Sequence, residues 1–321
     1  MALHKMNDGC VERALNEIRY ADQIRKESVY TGYSTLDELL GGMMPGEIYL
    51  IGARPQMGKS TFIFNLLRRM CIENGIPAML FSPEASAEFI IHELIYSVSD
   101  YCGEKGSIGA LKSYEQAADA IKSAPFLIAD TFDLTVDGFI RQCRMAKKDN
   151  PVRIVFLDSW DGIHFFSKPD REEIIESFKK IKSLACELGL TIVISMNLDE
   201  AIEEEYRGSH IPMIYDFMIP EEAMDKIAGV MALYRRSYYS IKIIKDQYAY
   251  ERTFKDDLNV RVLRSRVSNC FGVFFVFSLY NKRLDQGCYF ETDSDAWYFE
   301  ARDDEELEEM ELSDYETDMY E

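Results

Sequence analysis

The 321-residue sequence has few of the residues that staple small folds or bind metals. Its seven cysteines (Cys10, Cys71, Cys102, Cys143, Cys186, Cys270 and Cys288) stand singly with no C-x-x-C pair, and its four histidines (His4, His92, His164 and His210) are equally dispersed. That spacing argues against a zinc or dithiol site and predicts free thiols in a reducing compartment. Uninterrupted apolar runs are also missing: none approaches the roughly 18 residues that a membrane span needs. The opening stretch MALHKMNDGC lacks the apolar core of a signal peptide. A cytoplasmic protein without membrane contact is expected. No internal repeat is present, which argues against solenoids and propellers.

Positive charge is scarce. Lys and Arg number 36 against 56 Asp and Glu, a formal net charge of −20. The last 20 residues, RDDEELEEMELSDYETDMYE, hold 11 acids against Arg302 and carry −10, half of the excess. Such a run has too little apolar surface to fold alone and is expected to be disordered and solvated. The rest of the chain is long and apolar enough, at 47% hydrophobic residues, for one sizeable α/β domain.

From about residue 46, short β-rich runs alternate with helical patterns. EIYLIGA leads to a helix through GKSTFIFNLLRRMCIENG. AMLFS leads to a helix near 86–99, FLIAD to one near 135–148, RIVFLD to one near 171–188, and TIVISM follows. This rhythm predicts β-α-β crossovers and a mostly parallel sheet covered on both faces. Beyond about 229, the runs VMALYRR, YYSIKIIK, LNVRVLRSR and GVFFVFSLY suggest antiparallel hairpins extending one edge. Earlier, Val11, Leu15 and Ile18 at helical spacing predict an amphipathic helix whose stripe needs a partner. In YSTLDELLGG, Ser34 is a candidate N-cap, with Asp37 three residues on and Gly41-Gly42 as the stop.

The stretch IGARPQMGKSTF carries the chemistry. A phosphate cradle needs converging backbone N–H groups, a helix N-terminus, a lysine for the β- and γ-phosphates and a hydroxyl for Mg²⁺. Gly58, Lys59 and Ser60, followed by Thr61, provide these after an apolar strand. The loop residues Ala53, Arg54, Pro55, Gln56 and Met57 would line the nucleotide. Ala53 stands where the strict G-x-x-x-x-G-K-[ST] pattern wants glycine, with Gly52 one place early; Ala53 can still donate its N–H if its φ stays negative. Asp158, after the buried run VRIVFL, is placed to hold the Mg²⁺ shell at the carboxyl edge of the sheet. Glu84, just after AMLFSP, is a candidate general base for the attacking water. ATP and Mg²⁺ are the implied ligands.

With these residues in this order, TGYSTLDELLGGMMPGEIYLIGARPQMGKSTFIFNLL resembles the start of the RecA-like ATPase domain of DnaB-type hexameric replicative helicases. The same A-R-P-x-M-G-K-[ST] variant, alanine included, is normal there. The resemblance runs through FSPEAS, DTFDLTVDGFIRQCRMAKKD, IVFLD and VMALYRRSYY to near residue 280. It implies a RecA-like P-loop NTPase over residues 29–290, preceded by a linker helix over 1–28 that docks on a neighbouring subunit. An acidic tail over 291–321, expected to be disordered, follows. It further implies a homo-oligomeric, hexameric ring, single-stranded DNA as the track, and other replication proteins as partners. Glu84 and Asp158 match the family's catalytic glutamate and Walker B aspartate.

The departures from the family pattern are as specific as the matches. Asn197 stands where a glutamine senses the nucleotide. Arg264 and Arg266 in LRSRVSN match the lysine and the arginine finger that complete a neighbour's site. In DFMIPEE, Met218 replaces a phosphate-binding arginine, and Pro220, Glu221 and Glu222 enter the DNA-gripping loop. Nucleic-acid affinity rests largely on cationic contacts to phosphate, so these changes weaken the expected grip on DNA, with Lys226 and backbone N–H groups as substitutes. The family's primase-engaging helical domain is not matched. Two readings follow: an ATP-driven helicase motor, or a helicase-derived ATP switch that regulates or loads another replication protein.

Overall fold

The computed structural model describes residues 11, 12, 15, 26–99, 108–165, 168–204, 207, 210–239, 243–246, 251–253, 257–266, 271–277, 282–291 and 296–297. Strands β1 (Ile48–Ala53), β2 (Ala78–Phe81), β3 (Phe126–Ala129), β4 (Ile154–Leu157), β5 (Thr191–Asn197) and β6 (Ile227–Tyr234) lie parallel in the order β6-β1-β5-β4-β2-β3. Strands β7 (Ile243–Asp246) and β8 (Glu251–Thr253) pair in a separate small sheet. Strands β9 (Asp257–Arg264), β10 (Phe271–Phe277) and β11 (Leu284–Glu291) extend the main sheet antiparallel beyond β6. The short β12 (Ala296–Trp297) joins β7.

The parallel strands are apolar throughout because both faces are covered. In β1, Tyr49, Ile51 and Ala53 pack into one core and Ile48 and Leu50 into the other; in β4, Ile154 and Phe156 oppose Val155 and Leu157. The first core is closed by α1 (Ser34–Leu40), α2 (Lys59–Leu67), α3 (Ala87–Val98) and α4 (Ile108–Ser123). The second is closed by α5 (Val136–Asp149), α6 (Arg171–Leu188) and the short α7 (Glu221–Met224). Side chains stop the backbone's loose ends where helix and strand meet. Ser86, Thr135 and Asp170 accept N–H bonds from Phe89, Gly138 and Glu173 at the starts of α3, α5 and α6, and Gly189 ends α6 in left-handed backbone.

This is the RecA-like arrangement that the sequence implied: a mostly parallel sheet, helices on both faces and antiparallel strands at one edge. Several local expectations differ from what is formed. The VMALY part of VMALYRR ends β6, the last parallel strand, because that strand's eight buried residues, Ile227–Tyr234, need neighbours on both sides. The YYSIKIIK run contributes β7 to the separate sheet. Ser34 starts α1 with Tyr33 in the cap position, while Asp37 turns back to accept bonds from Thr31 N–H, Thr31 Oγ1 and Gly32 N–H. Burial raises the Asp37 carboxyl above its ordinary range, against those bonds. Gly41 does end α1, at φ +67°. The helix after the P-loop changes to a π-helical turn at Arg68–Glu73, where the buried Arg68 guanidinium pairs with Glu73.

Helix α4 has no clear signal in IGALKSYEQAADAIKS, where few apolar residues mark a stripe and, among its described side chains, Ala110, Ala117 and Ile121 are buried. At the N-terminus Val11, Glu12 and Leu15 are helical, and Val11 and Leu15 are exposed; Ile18 lies outside the described residues. The segment expected to be an unstructured acidic stretch is structured at its start, since Glu291 closes β11 and Ala296 and Trp297 form β12. Residues 298–321 lie outside the described residues.

Candidate functional site

Strand β1 ends at Ala53 and the loop Arg54–Gly58 turns the chain into α2. Gln56 (φ +66°) and Gly58 (φ +92°) take left-handed backbone, the kind of turn that aims successive N–H groups into an anion-binding concavity. A Cβ built on Gly58 would meet nothing within 4 Å, so the space in front of the loop is open. Met57 is buried beneath it, and Phe62 N–H bonds Gly58 carbonyl oxygen as α2 begins. Lys59, Ser60 and Thr61 form the first turn, at the positive end of the helix.

Gly52 has a different reason to be glycine. A Cβ there would fall 2.4 Å from Leu198 Cδ2 and 2.5 Å from Phe217 Cζ. It is required by packing behind the loop, and Ala53, not among the positive-φ residues, occupies the first cradle position with extended backbone.

The sheet order β1-β5-β4-β2 brings the other residues alongside. Lys59 Nζ donates to Asn197 Oδ1 at 2.8 Å, across 138 residues of chain. Asp158, buried directly after β4, accepts a 2.6 Å bond at Oδ1 from Ser195 Oγ, which fixes the carboxylate's orientation. The next residue, Ser159, donates from Oγ to Glu84 Oε1 at 3.1 Å. Gly162 permits this closeness, because a Cβ there would sit 2.7 Å from Pro83 Cβ and 3.2 Å from Glu84 Cγ. Three bonded pairs, Lys59 with Asn197, Ser195 with Asp158 and Ser159 with Glu84, therefore stand on neighbouring strand ends. A donor set of lysine, serine hydroxyl, buried aspartate and open cradle fits a Mg²⁺-nucleotide.

Asp161, Glu203 and Tyr239 escaped the sequence pattern. Asp161 Oδ2 accepts Asn197 N–H at 2.8 Å and lies 3.7 Å from Lys59 Nζ. Its one sequence signal is an acid three residues after Asp158. Arg54 Nη1 donates to Leu198 carbonyl oxygen at 2.8 Å, and its Nε to Glu203 Oε1 at 3.1 Å. Glu203 also accepts from Tyr239 Oη at 3.1 Å, and burial first, then the Glu203 charge, raises that phenol's pKa. Tyr239 stacks on His210 with centroids 4.3 Å apart.

Arg264 and Arg266 stand apart from this cluster. Arg264 Nη1 donates to Met224 carbonyl oxygen at 2.6 Å. Arg266 Nη2 meets Glu47 Oε1 at 2.5 Å, beside the entry to β1. The rise of a strand puts that entry about 20 Å from the P-loop at its other end.

The loop expected to grip DNA contains a short 3-10 helix, Ile214–Phe217. Phe217 is buried against Gly52, whereas Tyr215 and Met218 are each 66% exposed and Met218 takes φ +54°. Asp216 anchors the turn through two 2.6 Å bonds from Arg207 and accepts Met213 N–H. Asp199 N–H bonds Asp216 carbonyl oxygen at 2.8 Å, two residues after Asn197. Glu222 is paired with Arg171, while Glu221 is exposed and Lys226 half-buried. Among the described residues no helix is long and apolar enough to cross a membrane, and no group of three or more His, Cys, Asp or Glu could hold a metal ion by itself.

A glycine-bearing loop opening α2 at the carboxyl edge of a parallel sheet, with a buried aspartate just after a nearby strand, is the arrangement of an ATPase domain. The family model for the DnaB-like helicase C terminal domain matches residues 28–282, and the chain belongs to that family. A probable plasmid replicative DNA helicase of Chlamydia psittaci is 26% identical over 240 residues, 73% of this chain and 51% of the relative. Replicative DNA helicase DnaB of Geobacillus stearothermophilus is 24% identical over 219 residues, 65% of this chain and 48% of the relative. The chain thus spans about half the length of the curated relatives it matches. In fold it is similar to a DnaB-like replicative helicase whose interactions with primase have been described, with a TM-score of 0.70 at 21% identity, covering 87% of this chain and 68% of that one. It is equally similar to a separately solved ATPase domain, with a TM-score of 0.70 at 22% identity, covering 87% and 99%.

Proposed function

We propose that the chain is an ATP-hydrolysing DNA helicase motor that works between subunits of a homo-oligomeric, hexameric ring and moves on single-stranded DNA during replication in the cytoplasm. The observation that carries this reading is the set of three bonds at the mouth of the P-loop, Lys59 to Asn197, Ser195 to Asp158 and Ser159 to Glu84, on neighbouring strand ends.

The loop from Ala53 to Gly58, with Lys59 and Thr61, would bind the nucleotide's phosphates. Ser60 and Asp158 would hold Mg²⁺, which neutralises phosphate charge. Glu84, turned by Ser159 Oγ, would take a proton from the attacking water. Asn197, bonded to Lys59, would report on phosphate through Leu198 and Asp199, whose N–H bonds Asp216 carbonyl oxygen. Arg264 and Arg266 lie on the far side of the sheet from their own loop and would complete a neighbour's site. Residues 1–28 would dock on an adjacent subunit, the ATPase domain would occupy 29–290, and the acidic segment would follow.

A second reading, a helicase-derived ATP switch acting on another replication protein, is favoured by one observation. The exposed side chains of the loop expected to grip DNA include the uncharged Tyr215 and Met218 and the acidic Glu221 and Glu222.

ATPase turnover with and without single-stranded DNA separates them, with Lys59→Ala as the control that should abolish turnover and weaken nucleotide binding. Stimulation by DNA supports the motor. DNA-indifferent turnover supports the switch, and parental turnover by Lys59→Ala removes the P-loop from both.

A further inference from the structure

We infer that Asp161 is a brake on nucleotide affinity: its carboxylate competes with the nucleotide's phosphates for the Lys59 ammonium and so favours product release. The inference rests on the P-loop being the nucleotide site.

Asp161 lies on the 3-10 turn Trp160–Gly162, which is held in place by the buried Trp160 ring against Phe178, with centroids 4.9 Å apart. Its Oδ2 is pinned by Asn197 N–H at 2.8 Å and stands 3.7 Å from Lys59 Nζ. The carboxylate cannot swing away without giving up that N–H. A phosphate oxygen bonded to Lys59 would come within about 6–7 Å of Asp161, given an ordinary charge-assisted bond length. The side chains of Lys59 and Asp161 are only 14% and 32% exposed, so the repulsion is screened less than at an open surface.

The other acids of the cluster have different partners. Asp158 is bonded by Ser195 and Glu84 by Ser159, and both are assigned to metal and water. Asp161 is the acid that faces the lysine. The same contact helps the lysine in another way, since Asp161 and Asn197 together hold Nζ at the mouth of the loop. The arrangement keeps Lys59 placed for phosphate while limiting how tightly it retains it.

The test uses the full chain and its Asp161→Asn and Asp161→Glu variants. ADP affinity is measured by displacement of a fluorescent ADP analogue, in Mg²⁺ and in EDTA, at low and moderate salt. In Asp161→Asn the new carboxamide oxygen still accepts Asn197 N–H, and thermal melting checks the fold. Asp161→Asn should bind ADP about three- to thirtyfold more tightly in both media, with the gain shrinking as salt rises. Asp161→Glu, which keeps the charge, should stay near the parent. Equal or weaker binding by Asp161→Asn in EDTA overturns the inference. Weaker binding in Mg²⁺ alone does so too, by assigning Asp161 to the metal shell, as does the same gain in Asp161→Glu. A parent that binds no ADP overturns the nucleotide reading and this inference together, whereas a binding parent with an unimproved Asp161→Asn sinks this inference alone.

Discussion

The guanidinium of Arg266 is bonded to Glu47, the residue that leads into β1, at 2.5 Å. The strand's other end opens into the P-loop, so Arg266 and Lys59 lie at opposite edges of one sheet. Strand β9 delivers the arginine there because it runs antiparallel to β6. On the proposed ring, an arginine so placed would act on the ATP of a neighbouring subunit. Arg266→Ala should therefore lower turnover by about 10³–10⁵ while leaving ATP binding nearly intact. Mixing it with Glu84→Gln subunits should restore part of the activity, because some interfaces then pair an intact finger with an intact base. Failure of mixed subunits to recover any turnover would count against the shared site.

Met218 occupies left-handed backbone with its side chain outward. Met218→Arg should raise affinity for single-stranded DNA and steepen its salt dependence by about 0.7 in log–log slope, the value of one added phosphate contact. Fluorescence anisotropy on an oligonucleotide checks this. An unchanged slope would show that the loop does not face DNA.

Gly52→Ala should cost about 1–3 kcal/mol of stability by overpacking. Its Cβ would meet Leu198 and Phe217, both buried and unable to retreat into solvent. Urea denaturation gives the value. A neutral substitution would mean that the 3-10 turn at Phe217 shifts freely, which a change in nucleotide binding should then accompany.

Burial pushes the Cys71 thiol up to about 11 and raises that of Cys143 as well. A raised folded-state value favours the protonated form, so the stability contributed by the neutral Cys71 thiol is complete below about pH 9 and declines as pH climbs to about 11. Iodoacetamide at about pH 8 should modify the exposed Cys186 at least about tenfold faster than Cys71 or Cys143. Peptide mass mapping follows each site, and equal rates would contradict the buried, neutral thiols.

The local parts of the site are legible in the sequence because their chemistry is contiguous. GKS following a buried strand specifies a lysine and a hydroxyl at a helix start, whatever surrounds it. The runs around Glu84 and Asp158 announce strand ends, and helix α6 forms at the limits its pattern predicts, with Asp170 and Gly189 as its caps. Asp161, Glu203 and Ser195 leave no comparable mark, since an acid or a serine in a loop has no period and its partner lies far along the chain. Helix α4 is hidden by its polarity. Gly52 reads as a displaced cradle residue because packing across strands cannot be seen in one strand.

Composition and spacing by themselves determined the α/β class, the position of the phosphate loop and the concentration of acid at the C-terminal end, each a property of neighbouring residues. The strand order decided the rest. Only with β5 between β1 and β4 does Asn197 reach Lys59, and only with β9 antiparallel does Arg266 lie at the edge away from its own loop. Order and direction are set by which apolar faces bury one another in three dimensions, a choice that no single segment contains.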